Sequence, residues 1–233
     1  MIDYYKIAND FFLRSCQMIK FDSQEEWLKI RKEGIGGSDV ASILGHSPFR
    51  NIKDIYKSKI EDVPQITSEA IEFGNAFEPL IFESFKYKYK DLYAVLDYKD
   101  ILFRNIWNPF LQASLDGVLV NKQTLEVGIL EIKTVQERKS KWYDSYGNRT
   151  VPLYYLDQAI HYFNTTNANY IVFYTLVNYK NSNSDRDMEF LAPRVFYRKD
   201  LQQLCEYAFN ACKNFWFNNV IPRIEPNIKL SFR

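Results

Sequence analysis

The apolar positions change period along the chain, and each period predicts an element. Over residues 68–89 the stripe Ile71, Gly74, Phe77, Leu80, Ile81 and Phe85 recurs at helical spacing. That predicts a long helix, bent by Pro79, which removes one amide donor and crowds the preceding turn. Upstream, Ser23-Gln24-Glu25-Glu26 reads as a capping box opening a short helix that ends near Glu33, with Gly34 at the stop position. A tight turn over Gly34–Asp39 follows, and Ser38 or Asp39 is expected to cap a helix over Val40–Leu44. Asn51 caps a third helix that puts Ile52, Ile55, Tyr56 and Ile60 on one face. Downstream the period shortens, predicting strands at Tyr93–Leu96, Ile101–Arg104, Leu111–Ala113, Gly117–Val120 and Leu125–Thr134. Val151–Phe163 returns to helical spacing with Thr150 as its cap. Tyr170–Val177 is a buried strand, and Phe190–Tyr197 is a weaker one interrupted by Pro193. Asp200 is expected to cap a last helix to about Phe217, with Leu204, Ala208, Ala211 and Phe215 inward. Residues 1–20 are apolar and aromatic without a clear period. The alternation of helices and strands predicts a mixed α/β domain, and no internal repeat is visible.

Composition narrows the class. The chain has 233 residues, 46% hydrophobic and 17% aromatic, which excludes a disordered chain. At about 150 residues per domain, one domain over 1–233 is expected, with an extension at 1–20, helices at 21–67 and the core at 68–218. The formal net charge of +1 says nothing about nucleic acid, so any such contact needs a local patch. Three Cys without a Cys-x-x-Cys pair and two distant His argue against zinc. They fit a reducing compartment. The longest apolar run, Ile171–Val177, is too short to span a bilayer, and the N-terminus carries no signal-peptide pattern. A soluble, intracellular protein without a membrane partner is expected.

Candidate chemistry concentrates in Ser114–Thr134. On a strand, Glu131 and Lys133 share one face while Leu130 and Ile132 share the other. Charged groups on a central strand are unfavourable unless something compensates. If the Asp116 strand pairs antiparallel with this one through a turn near Asn121–Thr124, Asp116 lies beside Glu131. Two neighbouring carboxylates repel, and a hard divalent cation, Mg2+ or Mn2+, resolves the repulsion.

Asp116 followed by Glu131-Ile132-Lys133 on a hairpin resembles the PD-(D/E)xK nuclease superfamily. Trp27-Leu28-Lys29-Ile30-Arg31, Gly36–Gly45 and Ser47-Pro48-Phe49 resemble the N-terminal signature of the YqaJ-type viral recombinases, relatives of phage lambda exonuclease. Phe73-Gly74-Asn75-Ala76-Phe77-Glu78-Pro79 resembles their Gly-x-x-x-Glu-Pro helix. Ala113-Ser114-Leu115-Asp116-Gly117 and Leu130-Glu131-Ile132-Lys133-Thr134 resemble their catalytic hairpin, and Tyr155-Leu156-Asp157-Gln158 their Tyr-x-x-Gln helix. Any one of these is weak; five in order are specific, over about Trp27–Phe217. Two departures stand out: Leu115 replaces the family's Pro, and Ile160 replaces a second Gln.

The resemblance implies an α/β restriction-endonuclease-like core, a mixed central sheet flanked by helices. It implies that Asp116 and Glu131 bind catalytic metal with the main-chain carbonyl of Ile132, and that Lys133 positions or activates the attacking water. Glu78 would hold a metal-bound water, and Gln158 would orient that water or Lys133. Arg31 and Ser38 would form a 5′-phosphate pocket. Arg138, Lys139 and Lys141, just past the catalytic strand, would grip DNA, whereas the Lys86–Lys90 stretch reads as a solvated helix end. The implied activity is Mg2+-dependent (Mn2+ as substitute), two-metal 5′→3′ exonuclease action on double-stranded DNA ends. The setting is phage-type recombination in a bacterial cytoplasm, phage or prophage encoded. A single-strand annealing protein is the implied partner and a toroidal trimer the implied assembly. The alternatives are an endonuclease of the same superfamily, of restriction or repair type, and a non-catalytic DNA-binding protein on a nuclease fold.

Overall fold

The computed structural model describes residues 2–62, 67–135, 142, 150–180 and 186–227. The first twenty residues, unassigned from periodicity, form α1 (Tyr4–Phe12), capped by the Asp3 side chain, and β1 (Cys16–Lys20). β1 makes its ladder with a strand some ninety residues on, which no local pattern announces. In α2 (Gln24–Lys32) the Glu26 amide donates to Ser23 Oγ at 3.1 Å, as expected of the cap. The Glu26 carboxylate, however, accepts from the Asp22 amide, one residue before the cap. α3 (Gly37–Ile43) begins earlier than expected. Its N-cap is Gly36, whose amide donates to Asp39 Oδ2 at 3.0 Å, so Ser38 and Asp39 lie within the helix and neither is its cap. α4 (Ile52–Ile60) carries the expected Asn51 cap with Asp54 answering it.

α5 (Glu69–Lys88) runs from a Ser68 cap through Pro79 without interruption. Ile81 and Phe85 are its buried residues, while Leu80 is 66% exposed. Successive helical positions are about 100° apart, so Leu80 and Ile81 cannot both face the sheet. The strands follow as β2 (Tyr93–Leu96), β3 (Ile101–Asn105), β4 (Gln112–Ser114), β5 (Gly117–Asn121) and β6 (Val127–Val135). α6 (Leu153–Thr166) starts after Pro152, so Thr150 is not its cap. β7 (Tyr170–Lys180) is followed by two strands in place of the single one expected: β8 (Arg186–Phe190) and β9 (Arg194–Tyr197). Pro193 lies in the break, and the two strands take successive stretches of β7. α7 (Gln202–Phe215) buries Cys205, Ala208, Cys212 and Phe215, so Leu204 and Ala211 of the expected stripe are displaced by their neighbours. Both thiols act there as small apolar groups. Asp200 falls in a 3-10 turn and does not cap α7.

Two sheets result. β1-β3-β4 is a small antiparallel sheet; β2-β5-β6-β7-β8 is the main one, with β9 also on β7. The β5–β6 hairpin is antiparallel and β6–β7 is parallel, α6 serving as the crossover, so the main sheet is mixed. Leu119, Leu130, Ile132 and Val172 pack under α5. Ile129, Val135, Ile171 and Phe173 point the other way, into the larger core that contains Ile160 and Phe163 of α6 and Phe12 of α1. This is the α/β architecture expected, a mixed central sheet flanked by helices. No described helix is long and apolar enough to cross a membrane.

Candidate active site

The site lies where β5 stops and β6 continues. The ladder pairs Gly117 with Leu130, so β6 beyond Leu130 has no β5 partner. Asp116, one residue before β5, fills that gap: its Oδ2 accepts the Ile132 amide at 2.7 Å. A residue's N–H and C=O lie on the same edge of an extended strand, so the Ile132 carbonyl shares that edge. The period-two alternation holds. Leu130 and Ile132 face α5, and Glu131 and Lys133 face α6 among the larger core's residues.

Lys133 Nζ donates to Glu131 Oε1 at 2.5 Å and to Gln158 Oε1 at 3.1 Å, and it stands 4.9 Å from the centre of the Tyr155 ring. Gln158 Nε2 donates to the Tyr162 hydroxyl, and that hydroxyl donates to the Ser114 carbonyl. A chain of bonds thus runs from the ammonium through α6 back to the strand before Asp116. Gly37 permits it, because a Cβ there would lie 2.6 Å from the Tyr162 ring and 2.8 Å from Gln158 Cγ.

Glu78 enters from α5 and shares with Asp116 a cleft of about 410 Å³, also lined by Trp27, Ser23 and Ser114. Burial and the Asp116 charge push the Glu131 carboxyl up to about 8, and the same two causes push Glu78 up to about 7. Burial likewise raises Asp116. Burial works against the Lys133 ammonium, but the Glu131 and Asp116 carboxylates outweigh it and hold the group charged. One lysine for three carboxyl groups leaves a surplus of acidic groups, which keep protons near neutral pH unless a cation replaces them.

That surplus bears on whether a metal fits. Glu131 Oε2 is buried with no hydrogen-bond partner, an arrangement that costs about 1–3 kcal/mol unless something binds it. Among the described residues no three His, Cys, Asp or Glu side chains are already gathered round one point. The free Glu131 oxygen, Asp116 and the edge carrying the Ile132 carbonyl make an all-oxygen donor set, which suits a hard divalent cation.

A second cluster adjoins the first. Arg31 Nη2 donates to Ser38 Oγ at 3.3 Å, so the two residues named from sequence do meet. The guanidinium folds back over the turn and occupies the space a Gly36 Cβ would need, 2.4 Å from Arg31 Cζ. It lies 5.1 Å from the Trp27 ring centre, and Trp27 Nε1 donates to Ser114 Oγ at 2.9 Å. Trp27 therefore separates the Arg31 cluster from the cleft that holds Glu78 and Asp116. Sequence reasoning missed three members of the cluster. Asp39 is buried and bonded to Lys59 Nζ at 2.8 Å, Arg31 at 3.4 Å and Arg50 at 3.5 Å. Arg50 stands directly after Ser47-Pro48-Phe49, and its place in that signature is the signal that could have found it. Arg138, Lys139 and Lys141 lie outside the described residues.

The remaining candidates for metal or nucleophile chemistry are structural. His161 is buried, pairs with the Gln112 carbonyl and is pushed down to about 4 by burial. His46 pairs with Asp157, and all three thiols are buried.

The model of the YqaJ-like viral recombinase domain matches residues 26–169, a span that contains Arg31, Ser38, Glu78, Asp116, Glu131, Lys133 and Gln158. Uncharacterized protein YqaJ of Bacillus subtilis (strain 168) is 28% identical over 205 residues, 85% of this chain. The chain spans 57% of that relative's length. The alkaline exonuclease LHK-Exo of Laribacter hongkongensis superposes with a TM-score of 0.61 at 16% identity, covering 87% of this chain and 95% of its own. LHK-Exo in complex with dAMP superposes with a TM-score of 0.64 at 17% identity and the same coverage. The fold is shared.

Proposed function

The chain belongs to the YqaJ-like viral recombinase domain family, and from that membership we propose that it is a metal-dependent deoxyribonuclease, a 5′→3′ exonuclease on double-stranded DNA ends. The observation that carries the proposal is the Asp116–Glu131–Lys133 cluster with its unbonded Glu131 oxygen, beside the cleft that Asp116 shares with Glu78.

Asp116, Glu131 and the Ile132 carbonyl would hold Mg2+, or Mn2+ in its place, with Glu78 acting through water. The metal, when bound, supplies charge neutralisation and Lewis acidity for a two-metal hydrolysis. Lys133, kept charged by its carboxylates, directs its ammonium at the attacking water or the phosphate oxygen. Gln158 fixes the ammonium, and Tyr162 fixes Gln158. Arg31 and Ser38 bind the 5′-phosphate on the other side of Trp27 from the cleft that holds Glu78 and Asp116. That order of pocket, wall and carboxylates favours attack from an end over attack within a duplex. Arg138, Lys139 and Lys141 follow β6 closely in sequence and extend the DNA contact.

The family reading also carries a single-strand annealing protein as partner, a toroidal trimer as assembly, and a bacterial cytoplasm as the setting, with the gene carried by a phage or prophage. A duplex labelled at its 5′ end, or at its 3′ end, tests the direction. The 5′ label should leave first as a mononucleotide; early loss of the 3′ label would reverse the assignment.

A further inference from the structure

Around Asp39 the structure gathers more positive charge than one carboxylate needs. Lys59 Nζ, Arg31 Nη2, Arg50 Nη2 and the Gly36 amide all converge on its two oxygens. Asp39 and Lys59 are sealed, their side chains 3% and 4% exposed. Arg31 and Arg50 keep outward faces, at 17% and 41%. Arg50 Nη2 also donates to the Ser38 carbonyl at 3.3 Å, and Arg31 to the Ser38 hydroxyl, so both guanidiniums flank one residue. Three cations against one anion leave two formal positive charges. The Lys59 and Arg31 charges hold the Asp39 carboxyl well below the usual carboxylate range despite its burial.

We propose that Asp39 is the positioning residue of the anion pocket. It pins Arg31 and Arg50 in one orientation, and Lys59 offsets its charge from within. The pocket thereby presents a surplus of two positive charges and selects a dianionic phosphate monoester over a phosphodiester. A terminal phosphate carries about two negative charges above its second pKa of about 6, whereas an internal phosphate carries one. This inference rests on the 5′-phosphate reading of Arg31 and Ser38 and adds how that pocket tells an end from the middle of a strand.

The test compares kcat/KM on matched linear duplexes ending in 5′-phosphate, in singly charged 5′-methyl phosphate and in 5′-hydroxyl. Wild type should favour the phosphate over the hydroxyl by about tenfold or more, the size of a charge-assisted contact. The methyl phosphate should recover little of that advantage. Asp39→Asn should cut the phosphate-to-hydroxyl ratio by about tenfold, the loss appearing in KM, because the two guanidiniums lose their anchor. The sign is informative. Were Asp39 only a repelling charge beside the ligand, the same variant would raise the ratio. Were it only structural, phosphate and hydroxyl ends would slow alike. Either result overturns the inference. Lys59→Met removes one charge and leaves the anchor, so its ratio should fall as well; an unchanged ratio contradicts the charge match. If Asp39→Asn does not fold, Lys59→Met and the methyl phosphate comparison on wild type still decide. A wild type that prefers phosphate and keeps that preference as Asp39→Asn overturns this inference alone. A wild type that digests both ends alike overturns the underlying pocket.

Discussion

The Lys133 ammonium meets one oxygen of Glu131 at 2.5 Å and leaves the other buried and unbonded. The pair is therefore half-finished: one carboxylate oxygen is bonded to the ammonium and the other, also buried, is left open. An ion pair serving stability alone would bond both oxygens, since an unsatisfied buried acceptor is costly.

If that opening holds catalytic metal, Asp116→Asn, Glu131→Gln and Lys133→Ala should each lose about 10²–10³ or more in kcat on linear duplex. Their thermal melts without metal should show a single cooperative transition. The Asp116→Asn, Lys133→Ala double variant should be little slower than either single, because the groups act as one unit. Multiplying losses would separate Lys133 from the carboxylate site.

Metal binding should depend on pH with a definite sign. Glu131 and Glu78 sit at about 8 and about 7 in the folded chain, against about 4.3 for an ordinary Glu. The folded metal-free protein thus binds protons that the unfolded chain releases. Their stabilising contribution is present below about pH 4 and is lost as pH rises through 7 to 8. Mg2+ takes the place of those protons, so its stabilisation should be largest near pH 8–9 and smallest near pH 5. Melting curves with and without Mg2+ measure this. An Mg2+ shift independent of pH would remove Glu131 and Glu78 from the metal site.

Arg31→Ala should narrow the rate difference between 5′-phosphorylated and 5′-hydroxyl duplex. The expected loss on phosphorylated ends is about 1.5–3 kcal/mol, roughly ten- to a hundredfold. The Mg2+-induced melting shift should persist, since Trp27 separates Arg31 from the carboxylates. Loss of both readouts together would merge the two clusters into one site.

Gly37→Ala places a methyl group 2.6 Å from the Tyr162 ring in the packed α3–α6 contact. Overpacking of this kind costs about 1–3 kcal/mol. It should also displace Gln158 from Lys133, lowering activity beyond the stability loss. Denaturant unfolding and initial rates, measured below the melting transition, separate the two effects.

The β5–β6 hairpin was legible because its signals are local. Alternation fixes which way Glu131 and Lys133 point, and a short turn fixes the register that brings Asp116 to Ile132. The Ser23 and Asn51 caps were legible for the same reason. What failed was non-local. β1 has meaning only against β3. The stripe of α7 settles on Cys205 and Cys212 because the core it meets decides the rotation. Lys59 looks like any helix lysine until Asp39 is buried beneath it. The Gly36-Gly37 step, read from sequence only as part of a tight turn, makes room for Arg31, Tyr162 and Gln158.

Attack on DNA ends by the Asp116–Glu131–Lys133 site is tested by incubating 5′-phosphorylated linear duplex and covalently closed circular duplex with the protein in Mg2+, with an EDTA control. The linear duplex should yield mononucleotides, the circle should stay untouched, and EDTA should give no product. Nicking or opening of the circle would make the protein an endonuclease, and two intact substrates in Mg2+ would make it a binding protein; either result rules out an exonuclease.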